Sequence, residues 1–345
     1  MMEIKSAVLY FFTLALSFLL ALYGTPLARQ AAIKYGIVDK PDGNLKNQGE
    51  PVPYLGGLAI YMAFLLSLSL TFEFSRELLG VMLGGTIIVL LGLIDDFGVL
   101  TPEVKLIGQI IAAFVLIKSG TMIYLTFIPF WLRLFLTGLW IVGITNAFNI
   151  IDIMDGLSAG VAALAALTLS VVALTNGKLT VAIMAVALGG AALGFLRYNF
   201  NPAKIYMGDT GSMFLGYTLA ALSIGNTIGS YTKTNFFGFL APVLILGVPI
   251  FDTMLVMFFR FRRGQSMFHG SNDHYAVRLK RIGWSVRKIV LVSYLVAAML
   301  SAWALVLINV SYLPFLYAAL GALAVSALGL AYLLGKINTG GDRVA

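Results

Sequence analysis

The stretch "VMLGGTIIVLLGLIDDFG", residues 81–98, places two adjacent aspartates at the end of a long apolar run. A carboxylate at the edge of hydrocarbon is costly, so it usually has a charged partner or a function. The apolar part has the length and composition of a helix that enters a membrane, and Asp95 and Asp96 would lie where that helix ends. The stretch therefore predicts a membrane-spanning helix with polar chemistry at one membrane face.

The rest of the chain has the same apolar character. Of its 345 residues, 60% are hydrophobic and 11% are charged, whereas a soluble domain carries about 25% charged residues. The absence of cysteine excludes disulfides and thiolate metal sites. A net charge of +8 then indicates cytoplasmic loops and no nucleic-acid partner. The predicted fold class is all-α, a polytopic integral membrane helical bundle formed by one domain, residues 1–345.

Hydropathy predicts about eleven transmembrane helices. With the N-terminus outside, 17 of the 23 Lys and Arg residues fall on the inner side, in agreement with the positive-inside rule. All ten aspartates fall on that side as well, and an odd number of spans places the C-terminus inside. The predicted spans are about 4–24, 54–73, 79–94, 104–118, 132–149, 158–175, 179–196, 212–229, 236–258, 288–308 and 313–334.

A second polar segment, "NAFNIIDIMDGLSAG", covers residues 146–160. Asn146, Asn149, Asp152 and Asp155 recur every three residues, and residues three apart share one face of a helix. A polar helix terminus that only solvates itself is the simpler explanation for any one of them. Four such residues in register beside aliphatic sequence favour a binding or catalytic site instead.

Two further polar segments follow. In "YNFNPAKIYMGDTGS", residues 198–212, Gly208 and Gly211 flank Asp209, and glycine allows the backbone to approach a ligand closely. The second segment, residues 260–283, combines six Arg or Lys residues with both histidines of the chain, His269 and His274. Arginine and histidine beside carboxylates are suited to binding phosphate and to transferring protons at it.

The aspartates of these segments begin or end different spans at the same face. If Asp95, Asp96, Asp152, Asp155 and Asp209 converge, their mutual repulsion requires a cation. An oxygen-only ligand set selects a hard ion such as Mg²⁺ or Mn²⁺. Mg²⁺ commonly uses one or two carboxylates together with substrate phosphates, so a diphosphate substrate fits this set.

These segments, in this order, resemble the polyprenyl-phosphate N-acetylhexosamine-1-phosphate transferases, also called glycosyltransferase family 4. The resemblance also includes "PVPYLGGLAI" (51–60), "LIDDFGVLTPEVKLIGQ" (93–109) and "PIFDT" (249–253). It implies transfer of a sugar-1-phosphate from a UDP-sugar to a polyprenyl phosphate, with Mg²⁺ or Mn²⁺, in the cytoplasmic membrane of the cell during envelope glycan synthesis. It implies an active site in the cytoplasmic loops 95–104, 149–157, 197–211 and 259–287, and leaves a homodimer open.

The resemblance also assigns roles to individual residues. It implies catalytic roles for Asp95, Asp96, Asp152 and Asp155. It implies metal binding by Asp209, the family's principal ligand, and by Asp95. The substrate-binding residues that it implies are Asn149, Asn199, Lys105, His274 and Arg278.

The sequence departs from the family pattern at three places. Val99 stands where a lysine often follows the aspartate pair, and Ile153 replaces the first glycine of a usual D-G-x-D-G motif. Ala276 and Val277 stand where further histidines are common. The shortened histidine pattern favours a UDP-N-acetylhexosamine donor over the UDP-muramoyl-pentapeptide of the peptidoglycan branch.

The residues alone leave a second class of protein open, a secondary transporter or other ion-coupled membrane protein that uses clustered carboxylates. Transporter sites usually lie near the middle of the membrane on interrupted helices and accompany internal repeats. The aspartates here lie at span ends and the sequence shows no repeat, so an enzyme is the favoured prediction.

Overall fold

The computed structural model describes residues 4–39, 51–71, 75–125, 128–227, 240–265, 273–309 and 313–337. These residues form thirteen α-helices and one short antiparallel pair of strands, β1 (Val38–Asp39) and β2 (Val52–Pro53). The helices are α1 (Ile4–Lys34), α2 (Gly56–Thr71), α3 (Arg76–Asp96), α4 (Pro102–Lys118), α5 (Phe130–Ile151), α6 (Leu157–Thr175), α7 (Leu179–Asn199), α8 (Gly208–Thr227), α9 (Ala241–Ile245), α10 (Gly247–Arg262), α11 (Tyr275–Arg281), α12 (Val286–Asn309) and α13 (Leu313–Gly335).

The apolar helices confirm an all-α, multi-pass membrane protein. Within the described ranges, six helices are long and apolar enough to cross a membrane, namely α1, α3, α5, α6, α7 and α12. Helix α2 and the segment Leu320–Gly335 of α13 are shorter apolar helices. The count of eleven spans and the orientation of the termini stay predictions.

The ninth predicted span, 236–258, differs from the structure. Residues 236–239 lie outside the described residues, and the remainder divides into α9 and α10 with a break at Leu246, where φ is −96° and ψ is 17°. Pro249, which has no N–H group, falls in the first turn of α10, where helix N–H groups have no helical partner in any case. Hydropathy averages over such a break, so it predicted one continuous span.

The chain divides into two compact units, Met1–Ser230 and Tyr231–Ala345. The first contains the strand pair and helices α1 to α8, and the second contains α9 to α13.

Helix α8 forms the centre of the first unit. It packs against α2, α3, α5, α6 and α7, and every residue from 210 to 224 is buried. Glycines on two neighbours allow backbone-to-backbone contact: a Cβ added at Gly92 would lie 2.5 Å from Thr210 Cα, and one at Gly57 would collide with the backbone N of Gly211. On α8 itself, a Cβ at Gly216 would lie 2.8 Å from the Ile144 carbonyl oxygen. These close approaches fix where the N-terminus of α8 lies.

Helix α1 packs mainly along α7. Gly190 and Gly194 lie one turn apart on α7, and an added Cβ at either would meet backbone atoms of α1. Small residues of this kind allow close helix packing in membranes, where hydrophobicity alone provides no drive between helices. Tyr10 of α1 also shares a 2.7 Å hydrogen bond with Ser170 of α6. The first helix is therefore tied to residues far along the chain.

The loop before α8 is held by the segment before α2. The Pro53 carbonyl accepts a hydrogen bond from the Tyr206 N–H, and the Gly56 and Gly57 N–H groups donate to the Tyr206 and Met207 carbonyls. These residues lie next to the first turns of α2 and α8. The three backbone hydrogen bonds therefore fix the start of α8 relative to α2.

Candidate active site

Four helix ends of the first unit converge on one cluster of polar side chains. Asp95 and Asp96 end α3, Lys105 lies in the first turn of α4, Asn149 lies in the last turn of α5, and Asp209 lies in the first turn of α8. Of the five aspartates predicted to converge, the structure brings Asp95, Asp96 and Asp209 together here, with Lys105 and Asn149 between them. We call these five residues the carboxylate cluster.

The ammonium group of Lys105 joins three of the helices to its own. Its Nζ lies 2.6 Å from Asp95 Oδ2 and 3.1 Å from Asn149 Oδ1, and it also donates to Asp209 Oδ2. Charge-assisted hydrogen bonds of this kind are roughly twice as strong as neutral ones. Lys105 therefore neutralises part of the negative charge and sets the spacing between the Asp95 and Asp209 carboxylates.

Asp209 is held from a second side by the amide of Asn149. The Asn149 Nδ2 donates to Asp209 Oδ1 at 2.8 Å and lies 3.0 Å from Ser212 Oγ. The side chain of Asp209 nevertheless keeps 35% of its surface exposed, against 15% for Asp95 and 17% for Lys105. Asp209 is thus fixed in orientation and remains accessible to a ligand.

The Asp96 side chain lies apart from Lys105 and bonds to the start of α8. Its Oδ1 accepts the Asp209 N–H at 2.7 Å, and its Oδ2 accepts the Thr210 N–H at 3.2 Å and the Thr210 hydroxyl at 2.6 Å. The first N–H groups of a helix have no partner within the helix, and carboxylate oxygens are favoured partners for them. Asp96 therefore caps α8 from a neighbouring helix.

Asp152 follows directly after α5 and lies half-buried beside the cluster. Burial raises the pKa of its carboxyl group well above the usual value, and the negative charges of Asp209, Asp96 and Asp155 raise this pKa further. Among the residues named so far, only Lys105 is positively charged, so the local charge is strongly negative. A bound cation would relieve this repulsion.

Asp155 and Asn199 organise the loops around the cluster. Asp155 Oδ2 accepts hydrogen bonds from Asn201 Nδ2 at 2.8 Å and from the Ala203 N–H at 3.0 Å. Asn199 is 4% exposed; its Oδ1 accepts the Gly156 N–H at 3.0 Å and its Nδ2 donates to the Ile205 carbonyl. Both side chains thus brace the loop before α8, and their predicted catalytic and substrate-binding roles stay predictions.

A pair of amides one turn from the cluster was recognised only in part, because the sequence analysis singled out Asn146 but not Gln109. Gln109 Nε2 donates to Asn146 Oδ1 at 3.2 Å, and Asn146 Nδ2 donates to Gln109 Oε1 at 2.6 Å. Gln109 lies one turn after Lys105 on α4, and Asn146 one turn before Asn149 on α5, so the pair fixes the register of the two helices. A lone glutamine within the apolar run of α4 was the available signal.

The second unit holds His274 beside a buried carboxylate. Asp252, whose side chain is fully buried, lies 2.7 Å from His274 Nδ1 through its Oδ2, and its Oδ1 accepts the Tyr275 N–H at 2.9 Å. Such a carboxylate fixes the ring orientation and directs the other ring nitrogen, Nε2, away from it. His269, the other histidine of the predicted loop, lies outside the described residues.

Arg278 is 1% exposed and bonds to protein groups. Its Nε and one terminal nitrogen donate to the carbonyl and the carboxylate of Asp273, and the other terminal nitrogen donates to the Leu334 and Ile337 carbonyls. Its guanidinium also stacks 4.0 Å from the ring centre of Phe259. Arg278 therefore ties α11 to the end of α13, and its predicted contact with substrate stays a prediction.

The donor chemistry of the carboxylate cluster fits a hard cation completed by a substrate. No group of three or more His, Cys, Asp or Glu side chains within the described part of the chain is arranged to hold a metal ion by itself. Asp209 and Asp95 provide only two carboxylates, held together by Lys105. This matches the way in which Mg²⁺ binds through one or two carboxylates and substrate phosphates.

These features define a helical, multi-pass membrane protein with a carboxylate and lysine cluster at the ends of its helices. The chain belongs to glycosyl transferase family 4, whose sequence model matches residues 78–226. The matched segment begins in α3 and ends in α8, so it contains the whole carboxylate cluster.

Relatives with assigned names support this membership. A protein of Bacillus subtilis named "Probable undecaprenyl-phosphate N-acetylglucosaminyl 1-phosphate transferase" is 38% identical over 300 residues, which cover 84% of this chain and 83% of the relative. The decaprenyl-phosphate N-acetylglucosaminephosphotransferase of Mycolicibacterium smegmatis is 34% identical over 308 residues, 79% of this chain and 76% of the relative. The phospho-N-acetylmuramoyl-pentapeptide-transferase of Bacillus cytotoxicus is 32% identical over 307 residues, 80% and 89% respectively.

Proposed function

We propose that this protein transfers N-acetylhexosamine-1-phosphate from a UDP-sugar to a polyprenyl phosphate and releases UMP. The observation that carries the proposal is the position of Asp209, which Lys105 and Asn149 orient while its carboxylate stays accessible. The relatives named above as polyprenyl-phosphate N-acetylglucosamine phosphotransferases support the reaction type.

The reaction is a displacement at phosphorus. An oxygen of the polyprenyl phosphate forms a bond to the phosphorus that carries the sugar, and the bond from that phosphorus to the oxygen of UMP breaks. The acceptor phosphate is already an anion at neutral pH, so catalysis depends on positioning and charge neutralisation more than on a base. Mg²⁺ or Mn²⁺ held by Asp209 and Asp95 would supply the charge neutralisation on the diphosphate.

The remaining residues of the cluster have supporting roles in this proposal. Lys105 offsets negative charge beside the diphosphate, and Asn149 keeps Asp209 in the orientation that metal binding needs. Burial and the neighbouring carboxylates raise the pKa of Asp152, and a bound cation would favour its ionised form. The substrate-binding role of His274, which Asp252 orients within the second unit, stays a prediction.

The same proposal includes the arrangement in the membrane and the donor. The protein would lie in the cytoplasmic membrane with about eleven spans, its N-terminus outside and the cluster facing the cytoplasm, because the basic residues favour that orientation. The donor would be a UDP-N-acetylhexosamine. The identities of 38% and 34% to proteins named for N-acetylglucosamine, against 32% to the muramoyl-pentapeptide transferase, support this choice.

A transport function receives less support. The carboxylate cluster lies at the ends of α3, α5 and α8, whereas coupling-ion sites of transporters lie near the midplane on broken helices. The interrupted pair α9 and α10 lies in the other unit and carries no residue of the cluster.

The test uses purified full-length protein, undecaprenyl phosphate and a panel of labelled UDP-sugars, with the lipid product separated by thin-layer chromatography. We expect a labelled lipid and an equal amount of UMP from UDP-N-acetylglucosamine or an epimer. EDTA should stop the reaction, and Mg²⁺ or Mn²⁺ should restore it. Product formation only from the muramoyl-pentapeptide donor would overturn the donor, and no product from any donor would overturn the reaction.

A lysine pair provides matched variants for this assay. Lys105→Met should lower turnover by roughly 10²-fold or more, since it removes charge neutralisation at the reacting phosphates. Lys178→Met removes a half-buried lysine that donates to the Gly225 carbonyl, near the other end of α8. This control should keep turnover within about threefold, because loss of one such hydrogen bond typically costs about 1 kcal/mol of stability and removes no charge from the cluster. Equal effects of the two variants would contradict the role of Lys105.

A further inference from the structure

The two adjacent aspartates at the end of α3 have separate sets of contacts. Adjacent residues of an α-helix point about 100° apart. Asp95 faces α4 and bonds to Lys105, whereas Asp96 faces the first turn of α8. A pair that looks like one catalytic unit in the sequence is therefore divided between two neighbouring helices.

The acceptor capacity of Asp96 is directed at the backbone of α8. Three donors reach its two oxygens, namely the Asp209 N–H, the Thr210 N–H and the Thr210 hydroxyl. Two of these donors belong to the peptide backbone on either side of the Asp209 side chain. Asp96 thus holds the residue whose carboxylate lies at the open side of the cluster.

The glycine before Asp209 leaves the space that Asp96 occupies. Gly208 has a positive φ of 70°, and a Cβ added there would lie 2.5 Å from Asp96 Oδ2 and 2.7 Å from Asp96 Oδ1. Any side chain at this position would therefore displace the carboxylate from the helix terminus. On α3, Gly92 allows the close approach of the two helices, because an added Cβ there would lie 2.6 Å from Thr210 N.

We propose that Asp96 is a positioning residue that caps α8 and thereby fixes Asp209, and that it does not itself contact substrate or metal. The inference rests on the proposed function for the role of Asp209. It assigns the two aspartates different tasks: the charge of Asp95 acts inside the cluster, and the hydrogen-bond acceptors of Asp96 act on the backbone. An uncharged acceptor should then replace Asp96 in part but should not replace Asp95.

The first experiment measures amide hydrogen exchange of the full-length protein in detergent, without substrate. Asp96→Ala should speed exchange in peptides that cover residues 207–213, because the N–H groups of Asp209 and Thr210 lose their acceptor. Asp95→Ala is the matched control, since Asp95 is the adjacent carboxylate and bonds to the Lys105 side chain. Unchanged exchange in Asp96→Ala, or equal acceleration in both variants, would overturn the proposal.

The second experiment measures kinetics and Mn²⁺ binding by electron paramagnetic resonance. Asp96→Ala should lower kcat roughly tenfold and weaken Mn²⁺ binding, because the Asp209 carboxylate is then no longer held in position. Asp96→Asn keeps one of the two acceptor oxygens and should restore both values part of the way, clearly above those of Asp96→Ala. The KM for polyprenyl phosphate should stay within about twofold in each variant.

A third variant reaches the same contact from the other side. Gly208→Ala keeps the Asp96 carboxylate but places a methyl group against it, so it should reproduce the faster exchange and the lower kcat. If Asp96→Asn is as inactive as Asp96→Ala while exchange stays protected, Asp96 acts through its charge and the proposal is wrong. A selective rise in the KM for polyprenyl phosphate would also overturn it.

These outcomes are distinguishable from failure of the proposed function. Hydrogen exchange and Mn²⁺ binding require neither a donor nor an acceptor substrate. Suppose that the original protein forms no lipid product while Asp96→Ala, unlike Asp95→Ala, speeds hydrogen exchange at the start of α8. In that case the proposed reaction is wrong and the capping role of Asp96 remains.

Discussion

At the scale of single residues, Asp209 has the contacts expected of a metal ligand, since Lys105 and Asn149 orient a carboxylate that stays partly open. Asp209→Asn should lower turnover by about 10³-fold, because an under-coordinated cation can cost several kcal/mol at about 1.4 kcal/mol per decade. Circular dichroism and melting temperature should show a folded protein. A folded variant with nearly normal turnover would rule out Asp209 as the main ligand.

Asp152 gives a prediction about pH. Its carboxyl pKa is raised by burial and by Asp209, Asp96 and Asp155, so its ionised form destabilises the folded protein. This cost is present above the raised pKa and disappears as the pH falls through the unfolded value of about 3.9. In EDTA, Asp152→Asn should therefore raise the melting temperature by ~2 °C or more at pH 8, and the difference should vanish near pH 4.

The measurement is a thermal shift in detergent at several pH values, with and without Mg²⁺. Added Mg²⁺ should reduce the difference between the two proteins at pH 8, because a cation relieves the same repulsion. A melting temperature lowered by Asp152→Asn at pH 8 in EDTA would show that the ionised carboxylate stabilises the fold.

The sequence predicted part of the carboxylate cluster for a clear reason. Asp95, Asn149 and Asp209 lie at span ends, and the charge distribution assigns those ends to one face, so their convergence follows from topology. The direction of each side chain does not follow, since it depends on how the helices rotate against one another. The sequence therefore did not predict that Asp95 and Asp96 face different helices, or that Gln109 pairs with Asn146.

At the scale of elements, helix α8 depends on small residues in its neighbours. Gly92→Ala should destabilise the protein by about 1–3 kcal/mol, since its Cβ would meet the Thr210 backbone and overpacked sites usually cost that much. Gly138→Ala in α5 is the matched control, because an added Cβ there has no atom within 4 Å.

Melting temperature and turnover should both fall in Gly92→Ala and stay unchanged or rise in Gly138→Ala, since alanine is the better helix former. Equal effects of the two changes would mean that the contact between α3 and α8 does not limit packing. The central position of α8 was not predictable from composition, because helices in a membrane are apolar on most faces whether they contact lipid or protein.

At the scale of the whole molecule, the interruption of the ninth predicted span at Leu246 was also not predictable from averaged hydropathy. The order of the other helices and their approximate bounds were predictable, because each is a long apolar run between polar segments. The set of helices is therefore predictable from the sequence. Their packing is not, because it depends on contacts between particular side chains.

The orientation of the molecule gives a prediction for the intact cell. The excess of Lys and Arg in alternate loops predicts that the C-terminus lies in the cytoplasm. A fluorescent reporter fused after Ala345 should fluoresce, and an alkaline phosphatase fused at the same point should be inactive. The reverse pattern would invert the topology and place the carboxylate cluster on the outer side.

The attachment of α1 to later helices has a consequence for synthesis at the ribosome. Tyr10 and its partner Ser170 are separated by 160 positions. At about 5–20 residues per second, the first helix waits roughly 8–32 s in the bilayer before its partner emerges. During that time the Tyr10 hydroxyl and the surface that later receives Gly190 and Gly194 face lipid or the insertion machinery. Helix α1 is therefore synthesised well before α7, the helix against which it mainly packs.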